Sequence, residues 1–229
     1  MTMVCLPAGT DVAEMALFDV DALPRLLPRD TEDFAQLTSQ EQLVRFPTGA
    51  DGGYLLHLFA NEAIPAATLR YCVADEKLSG DFYTSEGRIG FGGLESVYAR
   101  FKPNPNIRSD GLIEPGRYAY TAYQTEFPDE LVMQASRVER TTGERWLGRA
   151  PVIAAGVQCA IAFALAMAGQ FVLAGVVFLG GFFVGKWLRR LPDYRALVER
   201  REQAQLAFPS IVVELRSNPA RKPRLDGAA

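Results

Sequence analysis

Residues Ala150–Gly185 read APVIAAGVQCAIAFALAMAGQFVLAGVVFLGGFFVG and contain no Asp, Glu, Lys, Arg or His. Their only strongly polar side chains are Gln158 and Gln170. A core helix of a water-soluble domain has no use for about 36 uncharged residues in a row, whereas one helical crossing of a bilayer needs about 20. The stretch is therefore read as membrane-embedded, and the rest of the chain is placed relative to it.

A single straight helix of about 36 residues would be about 54 Å long against a hydrocarbon layer of about 30 Å, an excess that tilting does not absorb. Two arms, at 151–168 and 171–187, are each about 26 Å long and fit better. The break falls at Gly169 and Gln170, where a helix-weakening residue meets a polar one near the midpoint. Flanking charge agrees, because Arg145 and Arg149 precede the stretch and Lys186, Arg189 and Arg190 follow it, with Trp187 beside them as an interfacial anchor. Basic flanks on both sides put both chain ends in the cytoplasm and require an even number of spans, as in a bacterial-type inner membrane. Small residues at Ala160, Ala164 and Ala168 on the first arm, and at Gly181 and Gly185 on the second, supply close helix packing. The same faces would allow a homo-oligomer through the hairpin.

Outward from this hairpin the charge divides unevenly. Residues 1–136 carry about 20 acidic and about 10 basic side chains, and 186–229 about 10 basic and about 5 acidic. The opening residues hold Asp11, Glu14, Asp19 and Asp21 where a signal peptide would have a basic start and an apolar run, so no cleavable signal is expected. Cys5, Cys72 and Cys159 form no CxxC pair and support neither a disulfide framework nor a thiolate metal site.

The region before the hairpin reads as β-rich. Ala16–Leu23, closed by Pro24 and Pro28, suits a short strand or turn. Thr31–Gln42 suits a short helix capped by Asp30 or Thr31, with Glu32 and Asp33 in its first turn. Leu43–Phe46 and Tyr54–Phe59 read as a hairpin across a Pro/Gly-rich link, Ala67–Val73 as a strand, and Gly80–Gly93 as a second hairpin turning at Ser85-Glu86-Gly87. Glu95–Phe101 fits either a strand or a helical turn, and Tyr118–Phe127 is the best strand by aromatic and Thr content. After the membrane stretch, Asp193–Phe208 reads as a charged helix, and Ile211–Leu215 alternates as a half-buried strand does. The expected class is α+β: a mainly antiparallel sandwich or barrel-like cytoplasmic domain at 1–149, a transmembrane hairpin at 150–188, a helix plus strand at 189–216 that would complete the first domain, and a disordered basic tail at 217–229.

No constellation dictates a chemistry. His57 is the only histidine, and a lone histidine in an apolar strand is read as a packed residue rather than a base or ligand. Gly87–Gly93 lacks the small residue a dinucleotide fingerprint needs at Glu95, and no GK[ST] follows for a phosphate loop, so these glycines are read as turn and bulge positions. Nothing fixes two carboxylates at a catalytic separation. Gln158 and Gln170 are too few, and uncharged, for an ion path. The basic residues beyond the hairpin are explained by anionic lipid, since the acidic domain would repel nucleic acid. No cofactor or metal is implied.

The phrase Ile113-Glu114-Pro115-Gly116-Arg117-Tyr118 resembles the Pro-Gly-x-Tyr strand openings of several bacterial β-sandwich domains, nuclease-inhibitor and immunity-type ones among them. It spans six residues, and no residue role is carried over from it. The expectation is a membrane-anchored, non-enzymatic binding protein that captures a basic or membrane-associated protein partner, as an immunity protein neutralises a toxin. Its acidic surface would include Asp75, Glu76, Asp81, Asp129 and Glu130. The alternatives are an assembly or regulatory factor acting through its hairpin, and a hydrolase on a β scaffold.

Overall fold

The computed structural model describes residues 3–27 and 31–218 and divides the chain into two compact units, 1–127 with 208–229, and 128–207. The anticipated cap at Asp30 and the tail beyond 218 lie outside the described residues. The architecture is α+β, with two sheets and, among the described residues, six α-helices.

The first unit is a sandwich. One sheet has five strands in the order β1 (Met3–Thr10), β4 (Gly52–Ala60), β9 (Ile211–Ser217), β8 (Gly116–Gln124) and β5 (Leu78–Thr84). The other has four, in the order β3 (Leu43–Pro47), β2 (Glu14–Asp19), β6 (Arg88–Gly93) and β7 (Arg108–Leu112). Alternation along the strands aims Leu6, Leu56, Leu58, Phe82, Ile211, Val213 and Leu215 of one sheet at Met15, Leu17, Val44, Phe46, Ile89 and Phe91 of the other. This apolar layer, removed from water on both sides, is the principal source of stability. Smaller clusters back each outer face: Phe18, Val20, Leu37 and Val97 under α1 (Thr31–Ser39), and Phe59, Ile64 and Val212 beside Cys72 and Tyr123.

The sheets also join at their edges, where Gly9 N–H donates to Ile107 O at 3.4 Å and Tyr83 N–H to Glu41 O at 2.6 Å. Strand β1 contains Pro7. A proline that donates nothing to a ladder is tolerated because β1 is an edge strand.

Three expectations of the sequence are corrected. The hairpin expected at 43–59 is an arch: β3 pairs with β2, and β4 pairs with β1 and β9, in the opposite sheet. The hairpin expected at 80–93 is likewise an arch, with β5 paired to β8 and β6 to β2 and β7. Its turn is held by the fully buried carboxylate of Asp19, which accepts from Thr84 Oγ1 at 3.2 Å and from Ser85 N and Oγ at 3.1 and 3.0 Å. A buried carboxylate needs such partners, and meeting them sends the chain across the sandwich instead of back along the same sheet. The strand expected at Ala67–Val73 is instead the short helix α2 (Ala66–Leu69), started by Pro65, whose carbonyl accepts from Thr68 and Leu69. Glu95–Phe101 is not a strand: a 3-10 turn spans Leu94–Ser96.

Strand β9 is the element that lets the second unit interrupt the first. It lies between β4, to which it is parallel, and β8, to which it is antiparallel. The chain leaves the sandwich at Phe127 and re-enters at Phe208, whose rings meet edge-on at 5.2 Å, with Tyr71 stacked 4.6 Å from Phe127. Thr125 N–H donates to Ser210 O at 3.0 Å, and Ser210 N–H to Leu55 O at 2.8 Å, so both crossing strands are tied where they meet. An insertion whose ends lie this close adds little loop-closure cost to the host fold.

The second unit holds α3 (Asp129–Ser136), α4 (Thr142–Met167), α5 (Phe171–Leu188) and α6 (Pro192–Gln205). The helices α4 and α5 form an antiparallel pair joined by Ala168–Gln170, with Gly169 at φ 77° in the left-handed region that suits glycine at a helix end. Both are long and apolar enough to cross a membrane.

Candidate functional site

The second unit begins with a local device. Thr141 caps α4, accepting from Glu144 N–H at 3.2 Å, while the Glu144 carboxylate accepts from Arg140 N–H at 2.7 Å. This is a variant of the reciprocal Thr-x-x-Glu cap, a signal legible in the sequence that would have started the helix at Thr142. Arg200 of α6 joins it, donating to Glu144 at 2.8 Å and to Val138 O at 3.3 Å. Arg201 bonds Glu139 beside it. That hydrogen bond holds the Glu139 carboxyl below its usual range, so it is ionised at neutral pH. Gly148 makes room for this pair, since a Cβ there would lie 2.7 Å from Arg201 Nη2.

Past Arg149 the helices carry apolar side chains that nothing in their own unit covers. Phe163, Phe171, Val172, Leu179 and Phe182 are all more than half exposed, and neither α4 nor α5 contains a buried residue. A contiguous apolar surface of this extent is not stable against water and marks a lipid or protein contact.

The seam between the two helices is polar at one point. Gln158 Nε2 donates to Val177 O at 3.2 Å and to Phe178 O. Gly181 permits this approach, because a Cβ there would fall 1.7 Å from Gln158 Oε1. Half-buried Pro151, Ala154, Gln158, Ala162 and Leu165 mark the covered face of α4, and Ala174, Val177, Gly181, Gly185 and Leu188 that of α5. Of the packing residues read from the sequence, Gly181 and Gly185 lie on that face. Ala160, Ala164 and Ala168 do not: they are exposed. Small residues recur on two faces of α4, and it was the polar Gln158 that chose between them. Gly181→Ala is expected to displace Gln158 and cost about 1 kcal/mol of helix-pair stability. In a Gln158→Leu background the same substitution is expected to cost less, which a double-mutant cycle of unfolding in detergent measures.

The open end of the pair collects charge and indole. Arg145, Arg149, Lys186, Arg189, Arg190 and Trp187 are all exposed there, with Gly169 and Gln170 at the other end. Trp146, exposed in α4, adds a second indole. The chain's two tryptophans thus sit on opposite arms at one end of the helix pair.

The acidic candidates are divided between the units. Asp75 and Glu76 are exposed in a 3-10 turn, and Asp81 is half-buried on β5, where its charge adds to burial in pushing the Tyr120 hydroxyl up. Asp129 and Glu130 are exposed in the first turn of α3, in the second unit. In the sandwich, His57 is buried with its ring 6.3 Å from that of Phe59, and its register partner across the ladder is Cys5. Burial pushes the Cys5 thiol up, the opposite of the shift a nucleophilic thiolate needs. The glycines of β6 serve packing: a Cβ on Gly90 would strike the Phe18 ring at 2.3 Å, and one on Gly92 would meet Ile107 O at 2.7 Å. Among the described residues no three His, Cys, Asp or Glu side chains gather as a metal site.

Sequence reasoning missed Arg108, which is 1% exposed. Its guanidinium pairs with Asp110 through two bonds of 2.7 and 3.2 Å, donates to Ser96 O and Tyr98 O at 3.2 Å each, and lies 5.0 Å from the Phe18 ring. It ties the 94–98 segment to the four-stranded sheet. The Arg108-x-Asp110 spacing on one strand face is the signal that could have found it.

No family model and no curated protein matches the chain. Among solved structures it is similar to one described as crocagin biosynthetic gene J, with a TM-score of 0.39 and 16% identity over 54% of this chain and 75% of that one. It is also similar to ComJ from Bacillus subtilis, described as an inhibitor of the DNA degrading activity of NucA, with a TM-score of 0.34 and 11% identity over 55% of this chain and 86% of that one.

Proposed function

We propose that this protein is a membrane-anchored, non-enzymatic binding protein, in which the helix pair α4–α5 is a two-span anchor and the sandwich is the cytoplasmic capture domain. The observation that carries the reading is the uncovered apolar surface of α4 and α5, bounded at one end by basic side chains and two tryptophans. The excess of carboxylates before the helices supports capture of a basic partner, because a surface of one sign speeds encounter with the opposite sign. An immunity-type role against a toxin is the specific form of this reading.

Topology is tested by cysteine labelling in a chain whose native cysteines are replaced. A cysteine at Gln170 is expected to react with an impermeant maleimide from the periplasmic side of intact cells. One at Glu86, in the turn between β5 and β6, is expected to react only after the membrane is opened. Labelling of position 170 from the cytoplasmic side alone would rule out two spans.

A further inference from the structure

Where α4 emerges from its cap, Arg137, Arg145, Arg149 and Arg201 surround a polar hollow of about 480 Å³ together with Glu139. Four guanidinium groups face one carboxylate, and that carboxylate is already engaged by Arg201. Arg137, Arg145 and Arg149 are exposed and form no ion pair among the described residues. The hollow is thus an electropositive cup with two uncommitted forks of N–H donors, Arg137 and Arg149, and a third, Arg145, that feels Glu139 without pairing with it; such forks match phosphate oxygens in pairs.

What lies beside it narrows the ligand. Arg145 and Arg149 also border a second, smaller hollow of about 180 Å³, whose remaining walls are Thr142, Trp146 and Ile153. The first three turns of α4 therefore place the guanidinium groups of Arg145 and Arg149 between the basic cup and a hollow walled by an indole and an aliphatic chain, at the place where the helix becomes apolar. A free phosphate would use only the first hollow. An amphipathic phosphate would use both.

We propose that the Arg137/Arg145/Arg149/Arg201 cup is a binding site for the phosphodiester of an anionic phospholipid, whose glycerol and first acyl carbons lie along Trp146 and Ile153. This rests on the membrane reading above, which places Arg149 at headgroup depth. Arg201, held by Glu139 and seated against Gly148, is the fixed wall of the cup, and the three exposed arginines close on the headgroup. Phosphatidylglycerol suits the site better than phosphatidylcholine, whose choline would bring a cation into a basic cup.

The test uses the full chain in nanodiscs of equimolar phosphatidylglycerol and phosphatidylcholine, with retained lipid counted by native mass spectrometry. The wild type is expected to retain phosphatidylglycerol in preference to phosphatidylcholine. Each single Arg→Gln change at 137, 145 or 149 is expected to weaken it by about fivefold, and the triple variant by about 100-fold, at about 1 kcal/mol per basic group near the surface. Arg149→Lys, which keeps charge without the fork, should fall between the wild type and Arg149→Gln. A triple Gln variant at Arg25, Arg70 and Arg100, exposed on the first unit, should retain the preference.

The site is overturned if the 137/145/149 variant keeps its phosphatidylglycerol, if the control variant loses as much, or if millimolar inorganic phosphate displaces the lipid as well as a short-chain phosphatidylglycerol does. Wild-type protein that enters the nanodisc with no lipid preference overturns this proposal and leaves the anchor standing. Wild-type protein that stays in the aqueous fraction overturns both.

Discussion

Phe163→Lys combined with Leu179→Lys is expected to move the protein from the membrane pellet to the soluble or aggregated fraction after alkaline extraction. Both side chains are more than half exposed and neither is on the half-buried Gln158 face, so the exchange removes little packing inside the protein. Each lysine near the middle of a span costs about 3 kcal/mol of insertion free energy. Together they amount to about 6 kcal/mol, or roughly a 10⁴-fold shift in partition at about 1.4 kcal/mol per decade. Phe163→Leu with Leu179→Phe, which keeps the surface apolar, is expected to stay in the pellet. If the lysine variant pellets like the wild type, or the wild type itself is extracted by alkali, the apolar surface of α4 and α5 is covered by something other than lipid.

Arg108→Met is expected to destabilise the sandwich by about 2–3 kcal/mol, because the carbonyls of Ser96 and Tyr98 lose their buried donor while Asp110, exposed, can turn to water. That is a large part of a total of about 5–15 kcal/mol for a domain. Methionine fills much of the volume against Phe18, so the loss is mainly that of the hydrogen bonds to Ser96 O and Tyr98 O. The signature is a lower denaturant midpoint with early loss of amide protection in β6 and β7. An unchanged midpoint in Arg108→Met would show that the pair only decorates the sheet.

Most strands of the sandwich were legible in the sequence, though β1 and β7 were not, and their pairing was not legible at all. Leu43–Phe46 and Tyr54–Phe59 were found from their composition, yet their Gly-rich link was read as a turn within one sheet when it crosses between two. Local sequence looks the same in both cases, because a hairpin and an arch present the same alternation. What separates them at 80–93 is Asp19, more than sixty residues away along the chain, whose carboxylate captures Thr84 and Ser85. The basic and aromatic flanks of the hairpin were legible because each is a feature of composition. The cup of Arg137, Arg145, Arg149 and Arg201 was not, because it needs α6 folded back beside the start of α4.

By itself the sequence determined the two apolar arms and the break between them, because the absence of charge over 36 residues and a glycine beside a glutamine are properties no tertiary contact can alter. It also determined that Ile211–Leu215 is a strand. Only the tertiary structure decided that this strand is central, flanked by β4 and β8, and that the α4–α5 pair is seamed at Gln158 and Gly181 while its alanine row at 160, 164 and 168 is left exposed. The reason is the same in both cases. Which elements are apolar follows from the order of residues, but which polar groups must be satisfied, and by what, is settled only when distant parts of the chain meet.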